Sequence, residues 1–275
     1  MQKKQTTKYG IALLVTGYLL VCAYMYAQQG RLMYHPEQHA VAPLQQVVSG
    51  LPAGSGVDVQ RHAIVVEPNL QPSKGTVIFF HGNSGNAWKY LAYHQQFNAM
   101  GYRMVLAEYP GFGWRSGQPN EQQIVNEGVA LYEHWRRSTP QDQPVMLVGK
   151  SLGTGVATQV AARASMPPSK VVLLTPFTSI TEVASQKYWM LPVAWLLKDH
   201  FASDQHLHRY TGPVSILVAG QDEVIGSATG LKLLAQAKSR GPADLMMKTE
   251  ANHNSWMPRL TATEWQQLLH WGMSS

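Results

Sequence analysis

The sequence predicts an α/β domain: a mostly parallel central sheet with helices on both faces, preceded by one apolar N-terminal helix. Three observations carry this. From about residue 57 onward, short runs rich in Val, Ile, Leu and Phe alternate with stretches of helical period, as strands of a parallel sheet buried on both faces do. Pro144–Gly155, PVMLVGKSLGTG, places a buried strand, a tight turn and a small-faced helix in direct succession. Gly10–Ala27, GIALLVTGYLLVCAYMYA, carries no charge over 18 residues.

The composition fits one domain behind an anchor. A chain of 275 residues is long enough to bury a full core. With 45% hydrophobic and 14% charged residues it is not a disordered protein. The net charge of +6 is concentrated at the N-terminus, where Lys3, Lys4, Lys8 and Arg31 stand. Residues 32–275 hold 18 basic and 16 acidic side chains, too balanced for a nucleic-acid footprint. The single cysteine, Cys22, lies in the apolar run, so the folded domain has neither a disulfide nor a thiol nucleophile.

In chain order, residues 1–9 form a basic tail and 10–27 a membrane anchor of about 27 Å as a helix. Lysines precede the span and one arginine closely follows it, which puts the N-terminus in the cytoplasm and the domain on the far side. A cleaved signal is the alternative. Met25-Tyr26-Ala27 has Met where a small residue is wanted, and Val21 before Cys22 makes a poor lipoprotein site. Residues 28–50 read as a connector, with Leu32–Pro36 docking on the domain of residues 51–275. Val57–Glu67 is a hairpin or strand pair, Thr76–Phe80 a buried strand, Ala87–Met100 a helix stopped by Gly101, and Tyr102–Ala107 a strand. A glycine-rich loop, Tyr109–Gly117, precedes a helix over Glu121–Arg137. After the turn at 149–153 come strands at Lys170–Leu174, Val214–Ala219 and Ala243–Lys248, and helices at Leu231–Lys238 and Thr263–Trp271. Val183–His200 carries Trp189, Leu191, Trp195, Leu196 and Leu197, too many large apolar groups for a surface loop. It reads either as a helix packed on the sheet or as part of a short cap, over about 178–205, above a site.

The chemistry begins at Gly149-Lys150-Ser151-Leu152-Gly153. A G-x-S-x-G between strand and helix is the nucleophile-elbow pattern: Ser151 sits on a strained turn with its hydroxyl exposed, and the helix N-terminus aims N–H groups at a developing oxyanion. HGNSGN at 81–86 follows the Thr76–Phe80 strand, where an oxyanion loop belongs. The expected donors are the backbone N–H groups of Asn83 and Leu152, with His81 holding the loop. The plain alternative is a glycine turn. Asp222 follows the Val214–Ala219 strand and is the candidate acid, with Glu223 beside it and Asp199 and Asp204 more remote; as a bland reading it is a turn aspartate. His253, between the last strand and the last helix, is the candidate base. The order Ser151, Asp222, His253 is that of elbow-bearing hydrolases. Such a constellation calls for no metal or cofactor.

On these residues the chain resembles the α/β-hydrolases, and within them the membrane-anchored bud-emergence (YfhR-like) branch. The matching positions are Leu32–Pro36, HGNSGN at 81–86, Tyr109-Pro110-Gly111-Phe112-Gly113 with Ser116-Gly117, GKSLGTG at 149–155, TPFTS at 175–179, Gly220-Gln221-Asp222 and His253-Asn254. The resemblance implies Ser151 as nucleophile, His253 as base, Asp222 as acid and a single anchor in the membrane. The order and placement of the three groups point to a serine hydrolase cleaving an ester or thioester of a small-molecule or lipid-like acyl substrate, which the anchor would hold near the site. An amidase or peptidase with the same triad and a non-catalytic membrane-anchored scaffold on a hydrolase fold are the alternatives. Two departures stand out: Gly226, where relatives often have Pro, and Lys150 just before the nucleophile.

Overall fold

The structure, a computed structural model, describes residues 2–273. The side chains of 2–6 lie outside the described residues, and with them Lys3 and Lys4 of the expected basic tail. The strands are β1 His35–Pro36, β2 Gly56–Asp58, β3 Ala63–Val66, β4 Gly75–Phe80, β5 Ser84–Gly85, β6 Tyr102–Ala107, β7 Val145–Lys150, β8 Lys170–Leu174, β9 Val214–Ala219 and β10 Ala243–Lys248. The helices are α1 Gln2–Met33, α2 Val41–Val48, α3 His94–Ala99, α4 Glu121–Ser138, α5 Leu152–Arg163, α6 Ile180–Lys187, α7 Val193–Leu196, α8 Ser203–Leu207, α9 Ser227–Lys238 and α10 Ala262–His270.

Eight strands form one sheet in the order β10-β9-β8-β7-β4-β6-β3-β2. The pairs β10–β9, β9–β8, β8–β7, β7–β4 and β4–β6 are parallel; β3 runs antiparallel to both β6 and β2. Alternate residues of each central strand feed two cores. Ile78, Phe80, Leu147 and Ile216 pack with Leu131 of α4, Val156 and Val160 of α5 and Leu233 of α9. Val77, Phe79, Met146 and Leu217 pack on the other face with Phe97 of α3 and Trp265 and Leu268 of α10. Because both faces are covered, the strands read as unbroken apolar runs rather than alternating ones. The chain winds from β4 to β6 on one side, then returns to β7 on the other, so the crevice at the carboxyl ends of β4 and β7 is a topological switch point.

Three segments differ from their sequence reading. The helix expected at Ala87–Met100 is a 3-10 segment, Ala87–Tyr93, followed by the short α3. Its start is pinned from outside: the Asn86 side chain accepts from Lys89 N, and Ala87 N donates to the Glu108 carboxylate at 3.0 Å. The helix read as Gly10–Ala27 runs on to Met33, because Gln29 and Met33 find partners on the domain and continue the helix rather than release it. The expected connector over 28–50 is accordingly not plain coil: it also holds α2 and β1, and β1 pairs with β5 beside the HGNSGN loop. Finally, Val183–His200 is not one helix packed on the sheet. Pro192 separates α6 from α7, and α6 touches the core only through the partly buried Ile180 and Val183.

Candidate active site

Ser151, Asp222, His253, Asn83 and Leu152 all stand at the carboxyl edge of the sheet. Ser151 follows β7 directly and has φ 51°, ψ −119°, a left-handed conformation that a serine adopts only when its surroundings force it. The two glycines supply that force. A Cβ on Gly149 would collide with the backbone of Gly153 and Thr154, and one on Gly153 with the backbone of Phe80 and His81. The elbow is therefore held between its own helix and the end of β4. Ser151 N donates to Leu174 O at 2.9 Å, and Thr154 N donates to Ser151 O at 2.8 Å, closing the turn.

His253 and Asp222 meet Ser151 from two further loops. His253 Nε2 lies 2.9 Å from Ser151 Oγ, and His253 Nδ1 lies 2.7 Å from Asp222 Oδ2. A carboxylate only accepts, so Nδ1 carries the proton and the Nε2 lone pair faces the serine hydroxyl. Burial alone would raise the Asp222 carboxyl. The hydrogen bond and charge of His253, with the N–H groups of Ile225 and Val224 at 2.9 and 3.0 Å, hold it below its ordinary value instead. The His253 loop is an Asn252-centred turn in which Asn254 N and Ser255 N donate to Asn252 Oδ1, and Trp256 Nε1 donates to His253 O at 2.9 Å. The other acids lie elsewhere. Glu223 takes only the His253 backbone N–H, at 3.4 Å; Asp199 accepts from Tyr34 and from Glu121 N; Asp204 sits at the start of α8.

The 81–86 loop is tied down on both sides. His81 Nε2 is 2.9 Å from Glu108 Oε1, and that carboxylate also accepts from Ala87 N and Tyr109 N. Tyr109 donates its hydroxyl to His81 O at 2.9 Å, and burial pushes that phenol well above its ordinary range. Arg115 closes the glycine-rich loop by donating to Glu108 O and to both oxygens of Glu127. Asn83 is placed by its own side chain, which donates to Met33 O, and by its carbonyl, which accepts from His35 N at 2.8 Å. Among the described residues, no acceptor is bonded to the backbone N–H of Asn83 or of Leu152.

Sequence reasoning missed Glu108 and, at Lys150, saw the departure but not its partner. Glu108, the buried carboxylate that orders the 81–86 loop, stands one residue past the apolar strand β6, a charged residue at a sheet edge that signals it. Lys150 is 9% exposed and donates to Asn254 Oδ1 at 3.1 Å. Burial lowers its ammonium to about 8, against the opposing pull of the Asp222 charge. Gly226 has φ 83°, which explains a glycine rather than a proline there.

Above Ser151 opens an apolar cavity of about 200 Å³. Asn83, Ser151 and Leu152 form its floor. Its walls come from α1 on one side and from Ile180 to Leu197 on the other. Among the described residues no group of His, Cys, Asp or Glu is placed to hold a metal ion.

Comparison with known proteins follows the same outline. The family model described as serine aminopeptidase, S33, matches residues 71–203. An uncharacterized protein of Mycobacterium tuberculosis (strain CDC 1551 / Oshkosh) is 30% identical over 235 residues, 82% of this chain and 80% of that protein. The lysophosphatidylserine lipase ABHD12 of Danio rerio is 31% identical over 237 residues; these are 77% of this chain but 62% of the lipase, so less than two thirds of that protein is matched. Among solved structures, the Pyrococcus furiosus esterase Pf2001 superposes with a TM-score of 0.61 at 14% identity, covering 77% of this chain and 85% of that one. Est1E of Butyrivibrio proteoclasticus, bound to ferulic acid, gives 0.61 at 16% identity, covering 78% and 96%.

Proposed function

The chain belongs to the α/β-hydrolase superfamily and is a hydrolase, and from this premise we propose that it is a membrane-anchored serine esterase. The observation that carries the proposal is the unbroken line Asp222–His253–Ser151, at 2.7 and 2.9 Å, on the floor of an apolar cavity. Ser151 Oγ attacks the acyl carbonyl while His253 Nε2 takes its proton. Asp222 fixes the ring tautomer and stabilises the imidazolium that forms. The N–H groups of Asn83 and Leu152 receive the oxyanion, each such donor contributing about 3 kcal/mol. The alcohol or thiol leaves with the proton from His253. A water, deprotonated by the same histidine, then releases the acid from the acyl-enzyme and restores Ser151.

The substrate class we infer is an ester or thioester of an amphiphile with one long acyl chain. The cavity is apolar, α1 is long and apolar enough to cross a membrane, and the ABHD12 relatives are named for lysophosphatidylserine hydrolysis. The described lining includes Lys187 and no carboxylate to receive a peptide's free amine, which favours ester over aminopeptidase chemistry. The bud-emergence branch is the assignment we favour within the superfamily, on the Tyr109–Gly117 loop. The lysines before α1's apolar run favour a cytoplasmic N-terminus with the domain across the membrane.

The test is fluorophosphonate labelling and ester hydrolysis by the full chain in membranes, wild type beside Ser151→Ala. Loss of labelling and a fall in kcat of at least about 10³-fold are expected. Full hydrolysis by the variant would falsify the assignment.

A further inference from the structure

We propose that α1 is itself one wall of the acyl-binding site, and that the slot between α1 and the α6–α7 segment admits an acyl chain directly from the bilayer. The proposal rests on the esterase reading above and goes beyond it: the anchor becomes a determinant of specificity rather than a tether.

The sequence of α1 already separates two faces. Tyr18, Cys22, Met25 and Gln29 recur at spacings of four, three and four, one stripe of a helix. Cys22 is buried although its neighbours Leu20, Val21 and Tyr24 are exposed. This stripe, buried at Cys22, faces the α6–α7 segment. Tyr18 donates its hydroxyl to Met190 O at 2.9 Å; Gln29 Nε2 donates to Leu196 O at 3.1 Å, and Lys198 N donates to Gln29 Oε1 at 2.7 Å. These bonds satisfy backbone groups of the turn at Met190 and of the C-terminal end of α7, the condition under which irregular backbone is tolerated at membrane depth.

Tyr18 sits in the middle of the apolar run, so its partner Met190 lies beside a membrane-crossing stretch and not above it. Trp189 and Trp195, 77% and 90% exposed, flank the same edge; indole rings suit the boundary between lipid and water. Inside the slot, Met25, Leu32 and Met33 face Leu191, Leu196 and Val183. From Met25 to Met33 the wall rises about 12 Å along the helix, ending beside Asn83 and Ser151. The carbonyl of a chain lying in this slot reaches the serine while its tail stays in contact with lipid. Two apolar walls with the reactive group at one end measure chain length, not headgroup.

The proposal is tested with the full-length protein in phosphatidylcholine vesicles, comparing kcat/KM for p-nitrophenyl dodecanoate and p-nitrophenyl acetate. Met25→Trp fills the slot and is expected to lower the dodecanoate-to-acetate ratio by about tenfold or more. Leu20→Trp, which adds the same bulk on the opposite face of α1, leaves that ratio within about twofold of wild type on the same scale. An unmoved ratio in Met25→Trp, or an equal fall in Leu20→Trp, overturns the proposal. Labelling of Ser151 by a small fluorophosphonate verifies that Met25→Trp is folded. If it does not label, Met25→Ala replaces it, and an unmoved ratio there is equally fatal. The two readings fail differently: hydrolysis that survives Ser151→Ala removes the esterase reading and the slot with it, whereas Ser151-dependent hydrolysis with an unmoved ratio removes the slot alone.

Discussion

The elbow end of the sheet and the α6–α7 segment above it are built in opposite ways. At the elbow, backbone packs against backbone: Gly149 and Gly153 leave no room for a single carbon, Ser151 is held at φ 51°, and Ser151 and His253 are 7% and 4% exposed. In the α6–α7 segment two short helices are split by Pro192, no residue of α6 is fully buried, and the large apolar side chains of Trp189, Met190 and Trp195 face outward. It is held to the rest of the molecule in part by side-chain bonds from α1. The contrast separates two tasks. Proton transfer and attack require atoms fixed to a few tenths of an ångström, while accommodating an acyl chain requires only an apolar surface of the right width. Substitutions should therefore act sharply and non-specifically at the elbow, and mildly but selectively in the segment above it.

The largest effect belongs to Gly153→Ala. Its Cβ meets the main chain of Phe80 and His81, which no rotamer change relieves, so β4 and α5 must separate. We expect a loss of about 3 kcal/mol or more in stability together with loss of Ser151 labelling; a folded, labelling variant in a thermal melt would break the account of the elbow. Asp222→Asn comes next. It keeps the shape but loses the charge and allows the wrong imidazole tautomer, so kcat falls about 10⁴-fold with little change in KM. Glu223→Gln sharpens the comparison: its carboxylate takes only a backbone N–H at 3.4 Å, and a fall of no more than about tenfold is expected. Equal losses in the two variants would undo the choice of Asp222 over Glu223.

The same contrast governs what could be read beforehand. The elbow, the sheet and the order Ser151, Asp222, His253 were legible because local rules write them: apolar runs, paired glycines and loops after strands are short-range signals. The separation of Asp222 from its neighbour Glu223 depended on which carboxylate two turn N–H groups, Val224 and Ile225, would receive, a matter of loop geometry. Glu108 escapes a local reading because its partner His81 is 27 residues away, and Lys150, visible as a departure, has a partner, Asn254, that is 104 residues away. The break of Ala87–Met100 into two pieces had the same origin, since Glu108 pins its first N–H. The walls of the cavity are least legible of all, because they depend on how α1 near residue 25 meets the α6–α7 segment near residue 190.

Lys150 tests the elbow electrostatically. Its ammonium is lowered from 10.5 to about 8 by burial. The unfolded chain thus binds a proton that the folded protein has released between about pH 8 and pH 10.5, and stability attributable to this group rises with pH across that window. Below pH 8 both states are protonated and the full penalty of burying the charge, about 3 kcal/mol, is present. Lys150→Met should therefore be more stable than wild type at pH 7, with the difference shrinking toward pH 10.5. Thermal melts of the pair at pH 7 and pH 10 check it; a constant difference would mean that the packing of the stem, not the charge, sets the effect.

The smallest effect tests the segment above the site. Gln29→Leu removes the partner of Leu196 O and of Lys198 N while leaving the apolar slot in place. The loss, about 1 to 3 kcal/mol for unsatisfied backbone groups, falls on a segment that meets the core only at its edge, through Ile180 and Val183. It should appear as local opening rather than as a change in global melting. Faster amide exchange and earlier proteolytic cleavage within 189–198 are expected at an unchanged melting temperature. A uniform rise in exchange across β4, β7 and α5 would instead join the segment to the core as one cooperative unit. In that case the division between a rigid catalytic floor and a compliant lipid-facing wall would not hold.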